Sequence, residues 1–293
     1  MKRKTISDRL FDTFNVALFI FIILLVMYPL YFILIASVSD PSATSSGRVW
    51  LWPVDFNWKG YEIIFGERVI WVGYKNSLIY AALGAVISTV ITISGGYALS
   101  RKDLVGRVYI MMFILFTSFF QGGLIPSYIL VKNLGMLDTI WAMVIPGAVS
   151  AFLLIIARTF FQQSIPDELL EASMVDGCNN TRFFFQIALP LALPIIAVIV
   201  LFNAVGQWNT YFKAMIYISN EDLQPLQIIL RRILVRNQNS EMLGNITSAQ
   251  GMAEYAELIK YGVIIVASVP MLVLYPFLQR YFVKGMMIGS VKG

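Results

Sequence analysis

The chain has 293 residues, of which 58% are hydrophobic and only 13% charged, where a water-soluble domain carries about 45–50% and about 25%. That excess of apolar side chains excludes a soluble globular fold and leaves lipid as the solvent. The net charge of +5 does not point to nucleic acid, because no Lys/Arg-rich run with interleaved aromatics lies outside the apolar stretches. There is no histidine, and Cys178 is the only cysteine, which excludes an internal disulfide, Cys/His metal clusters and His-dependent nucleophilic catalysis.

Six apolar stretches are long enough to cross about 30 Å of hydrocarbon: Phe14–Ser39, Asn76–Ser100, Val108–Val131, Thr139–Phe160, Ile187–Tyr211 and Tyr261–Gln279. They predict an all-α integral membrane protein, a single transmembrane domain over residues 1–293. The first stretch follows MKRKTISDRLFDTF. Its apolar core of about 25 residues is too long for a signal peptide and reads as a retained anchor.

Basic residues set the orientation. Lys2, Arg3, Lys4 and Arg9 precede span 1, Arg101, Lys102 and Arg107 follow span 2, and Arg280, Lys284 and Lys292 follow span 6. With an even number of spans these share one side with the 158–186 segment, while the loop after span 3 has Lys132 as its one basic residue. Positive residues stay inside, so both termini are expected in the cytoplasm and segments 40–75 and 212–260 outside. Within the second, Leu223–Arg236 has helical apolar spacing beside Arg231, Arg232 and Arg236. It predicts a helix across the outer mouth, or else an amphipathic helix on lipid headgroups.

The spans are free of Asp, Glu, Lys and Arg apart from Arg158, two residues from the end of the fourth. A proton-coupled carrier generally needs ionisable groups at depth, so this pattern argues against one. No G-x-x-x-x-G-K-[ST] phosphate loop is present, and any ATP-driven work must draw on another subunit. A channel and a scaffold remain open on these grounds. The polar groups at depth are neutral: Thr117 and Gln121 are four apart in span 3, as are Asn203 and Gln207 in span 5, so each pair shares a helix face. Trp208, Asn209 and Tyr211 continue the span 5 set outward. Amides beside aromatics suit a polyhydroxylated solute, but they equally suit helix-to-helix hydrogen bonding. Pro190, Pro194, Pro270 and Pro276 predict kinks in spans 5 and 6, and Gly84, Gly95 and Gly96 allow close helix contact in span 2.

Between spans 4 and 5 lies SIPDELLEASMVDGCNNTRFFFQIALPLALP. Ser164 at capping-box spacing from Asp167, Pro166 in a first turn, and Asp167 and Glu168 at a helix N-terminus predict a short helix. Gly177 suits its C-terminal turn. A second helix is expected from near Asn180 through Phe183–Phe185 into span 5, giving a helix-turn-helix held outside the membrane. Leu169, Leu170, Ala172, Ser173 and Val175 leave the first helix apolar or small over much of its surface, so it needs either a partner groove or its own bundle.

Glu171-Ala172-Ser173-x-x-Asp176-Gly177, followed by Ile187-x-Leu189-Pro190, resembles the E-A-A loop of bacterial ABC-importer permeases. Ser173 stands where that family usually has a second alanine. Lys75-Asn76-Ser77-Leu78, Gly95-Gly96-Tyr97-Ala98 and Lys284-Gly285 are similar to the maltose-type carbohydrate permeases, in particular the shorter, six-span partner. Gly122–Arg158 and Leu223–Arg236 resemble the subgroup that takes up complex oligosaccharides and polysaccharide fragments such as alginate. The resemblance implies a non-catalytic subunit whose 164–190 loop sits in a cleft of an ATP-hydrolysing subunit. Glu171 would meet a basic or donor group there, Ala172 and Ser173 would allow close approach, Asp176 and Gly177 would make the turn, and Leu189 and Pro190 would complete the motif. It also implies a second, homologous permease, two ATPase subunits that hold ATP and Mg while this chain binds no cofactor, and an extracytoplasmic solute-binding protein, all in a bacterial cytoplasmic membrane. The motif says nothing of cargo, so a permease for a non-sugar solute stays open beside the carbohydrate reading, as does a stand-alone channel or carrier.

Overall fold

The computed structural model describes residues 6–120, 122–242 and 259–276, and among these every regular element is helical. The chain divides into two compact units, with boundaries at Arg68/Val69, Ile229/Leu230 and Val269/Pro270.

The first unit is built on α1 (Ile6–Ala36), α2 (Pro41–Ser45) and α3 (Lys59–Gly66). Only Ile35 and Ala36 of α1 are buried, although the helix is apolar from Phe14 onward. Apart from contacts near its C-terminal end, its apolar side chains are exposed, as suits a helix long enough to cross lipid. At its C-terminal end the chain turns on Asp40, the N-cap of α2, whose carboxylate accepts from the Ala43 N–H at 3.2 Å and from the Ser42 hydroxyl. That hydroxyl, first among the contacts, holds the Asp40 pKa below the usual carboxylate value. Helix α14 (Ile259–Pro276) contributes Tyr261, edge-on to Phe32 at 6.0 Å. Its Gly262 lies where a Cβ would come within 2.8 Å of the Ile64 side chain. The expected kink at Pro270 is accommodated without ending the helix; residues 277–279 of the predicted sixth span lie outside those described.

The second unit is organised by α4 (Arg68–Ser100), which begins eight residues before the predicted start at Asn76. At about 1.5 Å per residue, its 33 residues run about 50 Å, well beyond the hydrocarbon thickness. Around it lie α5 (Arg107–Phe119), α6 (Leu124–Asn133), α7 (Ile140–Val144) and α8 (Ala151–Ser164). The third and fourth predicted spans, expected as continuous helices, are each interrupted. Span 3 breaks after Phe119: Gly123 takes a φ of 83° as the N-cap of α6, a backbone state that suits glycine. Span 4 breaks at Pro146-Gly147, where Gly147 has a φ of 76°. At 14 residues α8 reaches only about 21 Å, so the fourth crossing needs the irregular stretch as well.

The chain continues through α9 (Asp167–Val175) and α10 (Asn180–Leu191) to α11 (Leu193–Trp208). Phe184–Ala188 of α10 is a π-helical turn immediately before Pro190, the usual accommodation of a lost backbone donor. Pro194 then falls in the first turn of α11, and the two helices meet at 77°, so the expected kink in span 5 is a sharp bend at buried Ala192. Helices α12 (Phe212–Tyr217) and α13 (Leu226–Met242) follow. The Lys213 ammonium of α12 donates to the Pro146 carbonyl at 2.6 Å, covering a backbone group exposed by the break in span 4.

The helix expected over Leu223–Arg236 is present but shifted, with Gln224-Pro225 separating a short 3₁₀ turn from α13. Its entry is clamped by α4: the Asn76 amide donates to the carbonyls of Asp222 and Gln224 at 2.8 and 3.1 Å, the Tyr80 hydroxyl donates to Leu223, and Ser77 accepts the Leu226 N–H at 2.9 Å. A second clamp is Asp138, whose carboxylate accepts the N–H groups of Ser219 and Asn220.

Helices α4 and α8 pack closely at Gly96. A Cβ on Gly96 would lie 2.6 Å from the Ala157 Cβ and 3.1 Å from the Arg158 nitrogen, and Arg158 Nε donates to the Leu99 carbonyl at the α4 terminus. Gly96→Val is expected to force the helices apart at a cost of about 1–3 kcal/mol. A thermal-denaturation shift in detergent would measure this. Gly66→Ala, where nothing lies within 4 Å, should leave the melting temperature unchanged.

Candidate functional site

The segment between α8 and α11 is held by one aromatic and aliphatic cluster. Ile93, Ala157, Phe161, Phe183, Ala188, Ala192, Ile195 and Ile199 are buried together, and Tyr97, Leu170, Cys178, Ile187 and Leu189 pack against them. Tyr97 is the pivot: its ring lies 5.5 Å from Phe161 and 4.9 Å from Phe184, with the Arg101 guanidinium over its face at 6.0 Å. The end of α4 thus touches both α8 and α10.

Helix α9 starts differently from the expectation. Ser164 is the last residue of α8 rather than a cap, and Pro166 is itself the N-cap, with no side-chain hydrogen bond to the first turn. The capping-box reading fails because α8 keeps Ser164 in helical backbone. The C-terminal expectation holds: Gly177 has a φ of 77°, its N–H donates to Met174, and the Cys178 N–H donates to Ser173 at 2.9 Å. This pair of bonds closes the helix. Asn179 then caps α10 through its side-chain oxygen, which accepts the Arg182 N–H at 2.8 Å.

The predicted motif residues divide between two faces of α9. Ser173 is buried, donates to the Leu170 carbonyl at 2.7 Å and lies on the cluster side. Glu171, Ala172, Asp176 and Gly177 are exposed, beside Met174 and an almost wholly exposed Val175 at 88%. Ala172 and Ser173, grouped by the sequence as two small residues for close approach, therefore serve opposite faces. Leu189 is half-buried against the cluster and Pro190 is exposed.

Below α9 opens a cleft of about 440 Å³, lined by Tyr97, Arg101, Lys102, Arg107, Asp167 and Glu168 among others. Lys102 bridges to Asp167 at 2.5 Å, and the hydrogen bond and charge of that carboxylate raise the Lys102 pKa. Arg101 makes a two-pronged pair with Asp103 at 2.9 and 2.8 Å, which lowers the Asp103 pKa and raises that of Arg101. Arg107 donates to the Arg101 carbonyl at 3.1 Å. The basic residues read from the sequence only as orientation markers thus also tie the α4–α5 loop to α9. Among the described residues, no group of three or more His, Cys, Asp or Glu is placed to hold a metal ion.

The residues proposed to line a solute path are more dispersed. The Thr117 side chain is exposed and its hydroxyl donates to Ile114 within its own helix. Gln121 lies outside the described residues. The Gln207 side chain packs on Gly84 of α4, where a Cβ would come within 2.7 Å. Asn203 Nδ2, Gln207 Oε1, Thr89 Oγ1 and Thr92 Oγ1 are buried without hydrogen-bond partners among the described residues. Trp208 is buried, edge-on to Tyr74 at 5.6 Å. Asn209 donates to the Val205 carbonyl and Tyr211 is exposed beside Phe212. The sequence missed Tyr97, Asp167 as a partner of Lys102, and the Asn76-Ser77 clamp; the resemblance at those two stretches was their only signal.

Known proteins agree with this architecture. The chain is 38% identical over 288 residues to the polygalacturonan/rhamnogalacturonan transport system permease protein YtcP of Bacillus subtilis, covering 98% of this chain and 100% of the relative. It is 35% identical to LplC of the same organism, covering 99% and 97%. The structure superposes with a TM-score of 0.86 and 31% identity on a permease chain from a bacterial ABC transporter involved in the import of the acidic polysaccharide alginate, covering 96% of this chain and 100% of that one. Residues 100–288 match the family model of binding-protein-dependent transport system inner membrane components. The chain belongs to that family, the multi-pass membrane permease subunits of ABC importers.

Proposed function

We propose that this permease carries carbohydrate polymers or their oligosaccharide fragments, and that the exposed face of α9 couples it to ATP hydrolysis in partner subunits. The observation that carries the coupling is the division of α9. Leu170 and Ser173 fasten it to the bundle, while Glu171, Ala172, Met174 and Val175 face outward. Apolar side chains left exposed beside one carboxylate suit a groove with a cationic or donor group at its rim. The chain crosses the membrane six times, the broken third and fourth crossings included. Its termini and the α9–α10 pair face the cytoplasm, and a second permease, two ATPases and a solute-binding protein complete the importer. ATP and Mg are held by the ATPases, and this chain supplies position and motion rather than a catalytic group.

The names of the relatives support a saccharide cargo, and alginate, carried by the structural neighbour's transporter, is acidic. Arg231 and Arg232 are exposed on α13, where they can attract a carboxylated solute towards spans whose sequences carry no Asp or Glu. The Gln207 side chain packs on Gly84 of α4, and Asn203 Nδ2 and Gln207 Oε1 are buried without hydrogen-bond partners among the described residues, which leaves both amides as candidates for the path. Trp208, Asn209, Tyr211, Thr117 and Gln121 stay candidates for the path.

Three measurements on the reconstituted importer test this reading. Glu171→Lys should lower binding-protein-stimulated ATPase and transport at least about tenfold by setting like charges together, with the chain still inserted in the membrane. Transport that persists in this variant without any ATPase partner would instead indicate a channel or carrier. Lys102→Glu should reduce coupling by about fivefold at most, since the pair is exposed and screened, and adding Asp167→Lys should restore it. Arg231→Glu with Arg232→Glu should raise the KM for an acidic oligosaccharide about tenfold, and more at low ionic strength, while a neutral one is unaffected.

A further inference from the structure

The segment between α2 and α3 carries an unusual load of exposed aromatics: Trp50 is 70% exposed, Leu51 59% and Trp52 77%. In water such a row would be costly to display. It is nevertheless firmly placed. On one side Val49 is buried with Ile35 and Ala43, and the Arg48 N–H donates to Ala43. On the other, the Val54 carbonyl accepts the Asp40 N–H at 3.0 Å, the Val54 N–H donates to Ser39 Oγ, and the Asn57 N–H donates to Val38.

Between these anchors the tip folds back along α1. The Tyr31 hydroxyl donates to the Leu51 carbonyl at 2.5 Å and the Tyr28 hydroxyl to the Trp50 carbonyl at 3.5 Å. Trp50 Nε1 donates to Gly47 at 2.9 Å, and Pro53 has no N–H to satisfy. Tyr31 and Tyr28 lie five and eight residues before the end of α1 at Ala36, about 7 and 12 Å along the helix. The tip therefore lies against the exposed apolar surface of α1, and with the end of α1 at the membrane boundary it falls at the depth where amphipathic segments bury their apolar side chains, about 5–10 Å.

From this geometry we infer that Trp50, Leu51 and Trp52 form a lipid anchor, a loop wedged into the bilayer leaflet at the C-terminal end of α1. Its occupant is the headgroup–acyl boundary of phospholipid. Three observations meet there: apolar side chains continuous with the lipid-facing surface of α1, two backbone carbonyls capped by tyrosine hydroxyls in place of water, and indole rings of the kind that settle at membrane interfaces. Arg48, exposed at the start of the loop, is placed to meet a phosphate. The orientation proposed above makes this the outer leaflet; the depth itself does not depend on that choice.

The test is spin-label depth measurement on the complete importer in phospholipid nanodiscs, using Trp52→Cys in a Cys178→Ser background and Ser45→Cys as the aqueous reference. Leu51→Cys supplies a second position if Trp52→Cys assembles poorly. The label at 52 or 51 should collide freely with oxygen and be shielded from a water-soluble nickel chelate, with the reverse at 45. Equal nickel access at all positions would overturn the anchor, placing the loop in water. Shielding from both reagents would also overturn it, because the loop would then be covered by protein, and shielding that arises only when binding protein is added would name that protein. Transport and ATPase activity, measured in the same samples, report on the importer reading separately.

Discussion

The approach of α4 to α8 at Gly96 is the constraint on which the α8–α10 end of the second unit depends. A single methyl group at that position would meet Ala157 at 2.6 Å, so the two backbones lie closer than any side chain at Gly96 would permit. Only at that separation do Tyr97, one residue on, and Phe161, four residues beyond Ala157, bring their rings to 5.5 Å. The aromatic pair then forms the floor on which Phe183, Phe184 and Leu170 settle. The glycine pair in one stretch of sequence and the α9–α10 segment in another are thus two sides of one packing problem.

This arrangement explains how a short helix of nine residues keeps a fixed place. Isolated, a helix of that length is marginal in water. Here it is closed at one end by the Gly177 turn, packed along one side by Leu170 and Ser173, and tied at the other by the Lys102–Asp167 bridge. Past the 77° bend at Ala192 the first turns of α11 join the same cluster through Ile195 and Ile199.

The interior of the second unit is less uniform than its composition suggests. Polar atoms of Thr89, Thr92, Asn203 and Gln207 are buried without partners among the described residues, although unsatisfied polar groups usually carry a cost of about 1–3 kcal/mol each. Gln207 reaches its place because Gly84 leaves room for it. At the opposite end of α4 the polar contacts are fully directed: Asn76, Ser77 and Tyr80 hold the entry to α13 through backbone groups. One long helix therefore carries both a fixed clamp and a loosely satisfied seam.

Composition and local signals determined the lipid environment, the helical class and the existence of the α9–α10 pair, because each rests on local chemistry: apolar length, glycine at a left-handed turn, asparagine at a cap; the family was legible only through the resemblance of the Glu171–Pro190 motif. Much else was decided by tertiary structure. Span 4 looks continuous in sequence, yet Pro146-Gly147 breaks it, and the freed Pro146 carbonyl finds Lys213, 67 residues away. Ser164 has the spacing of a cap but is claimed by the helix before it. Ala172 and Ser173 are adjacent and similar in size, and only the position of Tyr97 and Leu170 determines which of them faces inward. The amide of Gln207 offered two readings because a helix face has no intrinsic direction; packing against Gly84 of α4 gave it one. Local signals can fix how the backbone turns, whereas which face is buried depends on a neighbour that the local sequence does not contain.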